Sequence, residues 1–294
     1  MKPIHRCLLI VSALHAASLP APALDFFGLG TGGDRLVTFR QDGTVLNDVA
    51  VSGLNLGDRL ADIDVFASDN LKLYGLGTSG QLYTLDPLSG AAAAVGAAAA
   101  VGTPVAMDFN PAVDRLRVLS GPDNYRMNPF TGGLAASDGM FAYAAGDPNF
   151  GGSPMLTAAA YSNNLDNPGT TTLFSIDSGL GALVFHSGGP QFSMLNTIAG
   201  LTLGGAPFSV GMEVGFDIVS PGAGLDWAYL SNGNDFYSLN LMTGELGFLS
   251  TIGGPTMLRS FTASAVPEGE TWLAGLGALA LGALGFWRSR RQGR

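Results

Sequence analysis

Outside its first 23 residues the chain offers little to nucleophilic or metal-centred chemistry: no Cys, one Lys (Lys72) and one His (His186). A Ser-His-acid triad would have to run through His186. That residue follows the apolar run Leu183-Val184-Phe185 and precedes Ser187-Gly188, the place of a surface residue beside a turn. Zinc sites draw on several His or Cys, which the chain after residue 23 cannot supply, and no metal centre is expected. Carboxylates are plentiful, and paired carboxylates serve glycoside cleavage, yet no pair stands out. Three acids instead recur in one pattern: Ile63-Asp64-Val65, Met107-Asp108-Phe109 and Phe216-Asp217-Ile218. Recurrence at one register position points to a structural role, lining a channel or capping turns. Loops such as Asn232-Gly233-Asn234-Asp235 carry the oxygen donors that calcium takes, without matching a calcium-loop template.

Basic residues gather in one place. Arg115 and Arg117 share a strand face, with Leu116 and Val118 on the other, and Arg126 follows on the next strand. They could pair with Asp108, Asp114 and Asp123 and hold neighbouring units together. Alternatively, with Asp108 and Asn110, they form a binding site for a carboxylate- or sulfate-bearing sugar, which Arg forks grip with two parallel hydrogen bonds. Two Gly-rich runs, Gly28-x-Gly30-x-x-Gly33 and Gly75-x-Gly77-x-x-Gly80, match the dinucleotide fingerprint only formally. That fingerprint needs a helix after it, and here Leu36-Val37-Thr38-Phe39 and Leu82-Tyr83-Thr84-Leu85 continue as strands. Both read as hairpin turns.

The elements that must position these residues come from a repeat. Leu82-Tyr83-Thr84-Leu85-Asp86-Pro87-Leu88-Ser89-Gly90 returns as Tyr125-Arg126-Met127-Asn128-Pro129-Phe130-Thr131-Gly132, then as Leu173-Phe174-Ser175-Ile176-Asp177 before Gly181, and as Phe236-Tyr237-Ser238-Leu239-Asn240 before Gly244. Leu36 to Gly43 is a degenerate first copy. Each copy alternates apolar and polar residues, runs into a turn that needs a positive-φ glycine, and resumes as a strand. No helical period appears between the ends. Three to four strands every forty-odd residues spell an all-β propeller. Five blades are expected, with room for a sixth, decayed blade around residues 191–210; a β-sandwich is the alternative. Leu258 to Ala263, after the last turn, should pair into the first blade and close the ring.

The 294 residues carry a net charge of −9, with 13% charged and 47% hydrophobic residues. That balance excludes a nucleic-acid partner, which needs clustered Lys and Arg, and a disordered chain. Lys2 and Arg6, the apolar run Leu8 to Leu14 and Ala21-Pro22-Ala23 make residues 1–23 a secretory signal peptide. At the other end Thr271 to Trp287 holds no charge and is followed by Arg288, Arg290, Arg291 and Arg294. A membrane helix with its basic end in the cytoplasm is expected there.

Val266-Pro267-Glu268-Gly269, the apolar helix and the Arg cluster together resemble the PEP-CTERM sorting signal of Gram-negative bacteria that make exopolysaccharide. The resemblance covers residues 266–294, rests on Pro267, Glu268, Arg288, Arg290 and Arg291, and departs at Gly269, where the family has a second Pro. It implies an exosortase-type sorting enzyme as partner, transient anchoring in the inner membrane, and delivery to the cell surface or extracellular matrix.

A second resemblance spans roughly residues 26–255. Met107-Asp108-Phe109-Asn110-Pro111, Asp114-Arg115-Leu116-Arg117-Val118, Asn124, Arg126, Asn128-Pro129 and Ala159-Ala160-Tyr161-Ser162-Asn163-Asn164 are similar to the domain-of-unknown-function family 4394. That family is found in exported bacterial proteins with the same tail and implies no established activity. The function expected is therefore a non-catalytic binding or structural role, with exopolysaccharide or a matrix protein as partner and no cofactor. The alternative is an extracellular glycan hydrolase or lyase working through carboxylates.

Overall fold

The computed structural model describes residues 24–69 and 72–264, so the signal peptide expected at 1–23 and the apolar helix expected at 271–287 lie outside the described residues. Five sheets radiate from one axis. Blade 1 holds β1 (Asp25–Gly30), β2 (Arg35–Arg40) and β3 (Val45–Ala50), with β23 (Leu258–Ala263) added innermost. Blade 2 is β4 (Leu60–Phe66), β5 (Lys72–Gly77), β6 (Leu82–Leu85) and β7 (Ala92–Val95). Blade 3 is β8 (Ala106–Asn110), β9 (Arg115–Ser120), β10 (Asp123–Met127) and β11 (Leu134–Met140). Blade 4 holds β13 (Leu156–Tyr161), β14 (Leu173–Asp177), β15 (Ala182–Ser187) and β16 (Met194–Gly200), with β12 (Ala142–Tyr143) on its outer edge. Blade 5 holds β19 (Val214–Gly222), β20 (Leu225–Asn232), β21 (Asp235–Leu239) and β22 (Glu245–Thr251), with the short β17 (Thr202–Leu203) and β18 (Ala206–Pro207) outside.

This is a five-bladed β-propeller. The innermost strands β23, β4, β8, β13 and β19 pack side by side in a closed circle. Phe26↔Ala263 and Gly28↔Phe261 pairing ties the last strand to the first blade, as the late strand suggested. The buried apolar residues fall into five clusters, one in each gap between blades. Alternation explains this: on an inner strand, odd and even residues face opposite neighbours. Phe109 packs toward blade 2 and Ala106 toward blade 4. The gap between blades 5 and 1 is filled by Phe26, Phe39, Phe236 and Phe261, mostly edge to face, the arrangement ring quadrupoles favour.

Two expectations change. There is no sixth blade at 191–210: β16 completes blade 4, and the β17–β18 hairpin extends blade 5. The copy at Leu173–Asp177 is also out of phase. In blades 1, 2, 3 and 5 the turn glycine lies between the third and fourth strands, whereas Gly181 lies between the second and third strands of blade 4. A long crossover, residues 144–155, enters blade 4 and shifts its strands against the motif. Both Gly-rich runs are hairpins, at matching second-to-third-strand turns of blades 1 and 2.

The in-phase turn glycines have a second duty. A Cβ on Gly43 would lie 2.4 Å from the Thr251 carbonyl oxygen, on Gly90 2.1 Å from that of Ala50, on Gly132 2.0 Å from that of Val95, and on Gly244 2.6 Å from that of Gly200. Each contact joins a turn to the end of the preceding blade's fourth strand. Gly90→Ala must therefore both hold φ near +74° and push a backbone apart, whereas Gly139, at φ +83°, has open space around it. Gly139→Ala should cost about 1–2 kcal/mol of unfolding free energy, and Gly90→Ala about 1–3 kcal/mol more. Urea denaturation of both variants checks this; equal losses would mean that the blade contact contributes nothing.

Candidate functional site

Around the axis each inner strand presents an edge of backbone N–H groups that no further strand can pair. Equivalent side chains from the preceding blade answer them. Thr262 Oγ1 accepts from the N–H of Val65 at 3.3 Å, Asp64 Oδ2 from Phe109 at 2.8 Å, Asp108 Oδ1 from Tyr161 at 3.2 Å, and Asp217 Oδ2 from Ala263 at 2.7 Å. The fifth equivalent position is Ala160, which cannot accept, and the N–H of Ile218 turns to Asp217 Oδ1 instead, at 2.7 Å. One layer along the axis, Asp62 repeats the device, accepting from Met107 at 2.7 Å and Ile63 at 2.8 Å.

The recurring acids of the sequence are thus neighbours in space. Carboxylate oxygens of Asp64, Asp108 and Asp217 all lie within 4.8 Å of one another, and all three residues are buried. Burial is the first cause that lifts their carboxyls above the usual range, and mutual repulsion adds to it for Asp64 and Asp108, which rise well above. Asp217 and Asp62 are each pushed up to about 6, again mainly by burial.

The Arg group resolves differently. Arg117, 1% exposed, is enclosed between blades 3 and 4. It donates to Asn124 Oδ1 and Asp138 Oδ2, both at 2.7 Å, to the Pro190 carbonyl at 3.0 Å and to the Tyr161 hydroxyl at 3.2 Å, and its guanidinium lies over the Phe192 ring. Arg126 grips the same Asp138 with two hydrogen bonds, at 2.7 and 2.8 Å. The ion-pair partner is therefore Asp138, not Asp108, Asp114 or Asp123. Asp108 is directly opposite Arg117 in register but turns to the channel. Arg115 stays outside, its guanidinium on the Asp114 carbonyl at 2.8 Å. Asn110 turns back to accept from the Ala112 N–H at 3.0 Å. The five residues read as a sugar site are thus split between channel, blade interface and surface.

His186 is not a surface residue. It is 2% exposed, with Nε2 2.7 Å from Ser175 Oγ and Nδ1 2.8 Å from the Phe192 carbonyl oxygen. The carbonyl can only accept, so Nδ1 carries the proton and Ser175 donates to Nε2. Burial drives the imidazole down to about 3, and the ring is neutral. This resembles a Ser-His pair, but Ser175 is fully buried and the third group is a carbonyl rather than an acid. What brings Arg117, Asn124 and His186 together is the segment 188–193, whose Pro190, Gln191 and Phe192 carbonyls all accept from them. Nothing in the spacing of the sequence signals that contact, since the partners are 6 to 73 residues apart.

In Asn232-Gly233-Asn234-Asp235 the side chains are engaged within the protein. Asn234 Oδ1 accepts from the Leu258 N–H at 3.0 Å, and Asp235 Oδ1 from Thr251 at 2.7 Å. The sorting residues Pro267, Glu268, Arg288, Arg290 and Arg291 lie outside the described residues.

The family model for a domain of unknown function, DUF4394, matches residues 35–262. No curated protein matches. Among solved structures, a chain from work on "the de novo evolutionary emergence of a symmetrical protein" shaped by folding constraints is similar at 13% identity and a TM-score of 0.47, covering 83% of this chain and all of that one.

Arg117→Met should cost about 3–5 kcal/mol of stability, because it leaves the buried Asn124 amide oxygen and Pro190 carbonyl without a donor and strips Asp138 of one of its two cations, while Arg115→Ala should stay within about 0.5 kcal/mol. Chemical denaturation decides between this and an Arg117 held for a ligand, which would leave stability nearly unchanged. His186 also sets a pH dependence. Its folded value of about 3 lies below the ordinary 6.5, so the stability it brings is complete above about pH 6.5 and is lost as pH falls. Relative to His186→Gln, the wild type should lose on the order of 1 kcal/mol per pH unit between about pH 6 and 4. Parallel slopes for the two proteins would refute a neutral buried ring.

Proposed function

The chain belongs to the domain-of-unknown-function family DUF4394, and from that premise we propose an exported, non-catalytic propeller with a binding or structural role at the cell surface or in the extracellular matrix of a Gram-negative bacterium. One observation carries this reading: Arg117, Ser175, His186 and the three channel acids are buried and bonded between strands and blades. A general acid, base or nucleophile must reach its substrate, and these groups reach neighbouring strands, within their own blade or in the next, instead.

In this reading residues 1–23 direct export. Pro267-Glu268, the apolar segment 271–287 and the terminal Arg cluster hold the chain in the inner membrane until an exosortase-type enzyme processes it. The propeller carries a large acidic excess, 21 of the 23 acidic residues against 8 of the 14 basic ones falling within 24–265. Such a surface repels polyanions. With Arg117 enclosed, the partner favoured is a neutral exopolysaccharide or a matrix protein rather than an anionic sugar.

Fractionating a producing culture tests the address: the chain is expected in the surface or matrix fraction, and deletion of 266–294 should abolish that placement. Calorimetric titration of the purified full-length chain with exopolysaccharide from the same culture is expected to give saturable heat with no new reducing ends or unsaturated sugars. Release of such products would replace this reading with a hydrolase or lyase, and absence of heat would turn it toward a protein partner or a purely structural role.

A further inference from the structure

Three carboxylates meet at the propeller axis without a counter-ion: none of the ion pairs among the described residues includes Asp64, Asp108 or Asp217. Their geometry favours the anion all the same. Asp217 accepts N–H groups at both oxygens, from Ile218 and Ala263, and Asp64 does so from Val65 and Phe109. Hydrogen bonds of this kind favour the charged form, while burial and like charge oppose it. Such a conflict is relieved by protons or by a cation.

Two further oxygens bear on the choice. Asp108 is 3% exposed, yet its Oδ2 accepts no hydrogen bond from any described residue; Oδ1 alone is engaged, by Tyr161. Ser260 is 7% exposed and its hydroxyl has no hydrogen-bond partner among the described residues. It lies two residues before Thr262 on the same face of β23, so it faces the channel one layer along, beside Asp62. Buried polar groups are nearly always satisfied, by protein, water or an ion. A proton on one carboxylate would still leave the Ser260 hydroxyl without a partner.

We propose that Asp64, Asp108 and Asp217 bind one calcium ion on the propeller axis, with channel water bridging to Ser260. The donors are hard oxygens with no His or Cys among them, which suits calcium, magnesium or manganese rather than softer metals. Calcium takes six to eight oxygens at roughly 2.3–2.6 Å, so ligand atoms spread over as much as 4.8 Å can share it. Magnesium, at roughly 2.1 Å and strictly octahedral, needs them closer. Ala160 leaves the fifth side of the ring without a ligand, where water completes the shell. The ion would bind blades 2, 3 and 5 through one centre.

Metal analysis of the purified full-length chain, before and after chelator treatment, is followed by calorimetric and thermal-melting titration with calcium chloride at pH 7.5. The expected result is one calcium per chain, or one saturable site after stripping, with a melting midpoint that climbs with calcium concentration. Asp108→Asn keeps an acceptor for the Tyr161 N–H but removes the charge. It should weaken calcium binding at least about tenfold while melting, without calcium, no lower than the wild type. Asp217→Asn serves the same purpose should the first variant fail to fold. The proposal is overturned if the folded wild type holds no metal and shows neither heat nor a midpoint shift with calcium, magnesium or manganese. It is equally overturned if both variants bind calcium as the wild type does.

Discussion

Closing a sheet-built ring leaves a row of backbone N–H groups facing inward from every blade, at the place where five strands crowd out solvent. An unpaired buried N–H costs about as much as a lost hydrogen bond, and a ring multiplies that cost. Here the answer is a side-chain oxygen from the preceding blade, supplied by Thr262, Asp64, Asp108 and Asp217. The same atoms join neighbouring blades at four of the five junctions, so satisfying the edge and closing the ring are largely one act. The consequence is a concentration of buried carboxyl groups at the axis, and the chemistry of the channel follows from it.

Away from the axis the joints are of two kinds. Four gaps are mainly apolar, exemplified by the Phe26, Phe39, Phe236 and Phe261 cluster between blades 5 and 1. Apolar contact is non-directional and tolerates the drift of a degenerate repeat. The gap between blades 3 and 4 adds a polar core, with Arg117 bonded to Asp138, Asn124, Tyr161 and Pro190. That gap precedes the one blade whose turn motif is out of phase. Segment 188–193 occupies the third-to-fourth-strand turn there, and its carbonyls accept from Arg117, Asn124 and His186 where the other blades place a glycine against a strand end. A specific hydrogen-bond network thus replaces a repeated steric fit.

Parts of this were legible because they are periodic. The strand alternation and the turn glycines recur, so propeller architecture and closure by Leu258–Ala263 could be read directly, and so could the shared register of Asp64, Asp108 and Asp217. Other parts were misread for physical reasons. The motif at Leu173–Asp177 is local, and local sequence cannot say whether it is a blade's second strand or its third. His186 sits at the end of its strand, where exposure is usual, and only a loop folding over it makes it buried and neutral. Arg117 has acids nearby in sequence, yet its partner Asp138 arrives from the far edge of the same blade.

The amino-acid sequence by itself determined the unit: how long a strand runs, which of its faces is apolar, where it turns, and which position carries an acid. These depend on interactions within a few residues, so they are written locally. Tertiary structure decided what those units do to one another. Gly90 becomes a spacer only because Ala50 lies against it, and three acidic side chains 44 to 153 residues apart become a single cluster only when the fifth blade closes the circle. Contacts between blades depend on the number of blades and their phase, and both are properties of the closed ring rather than of any one repeat.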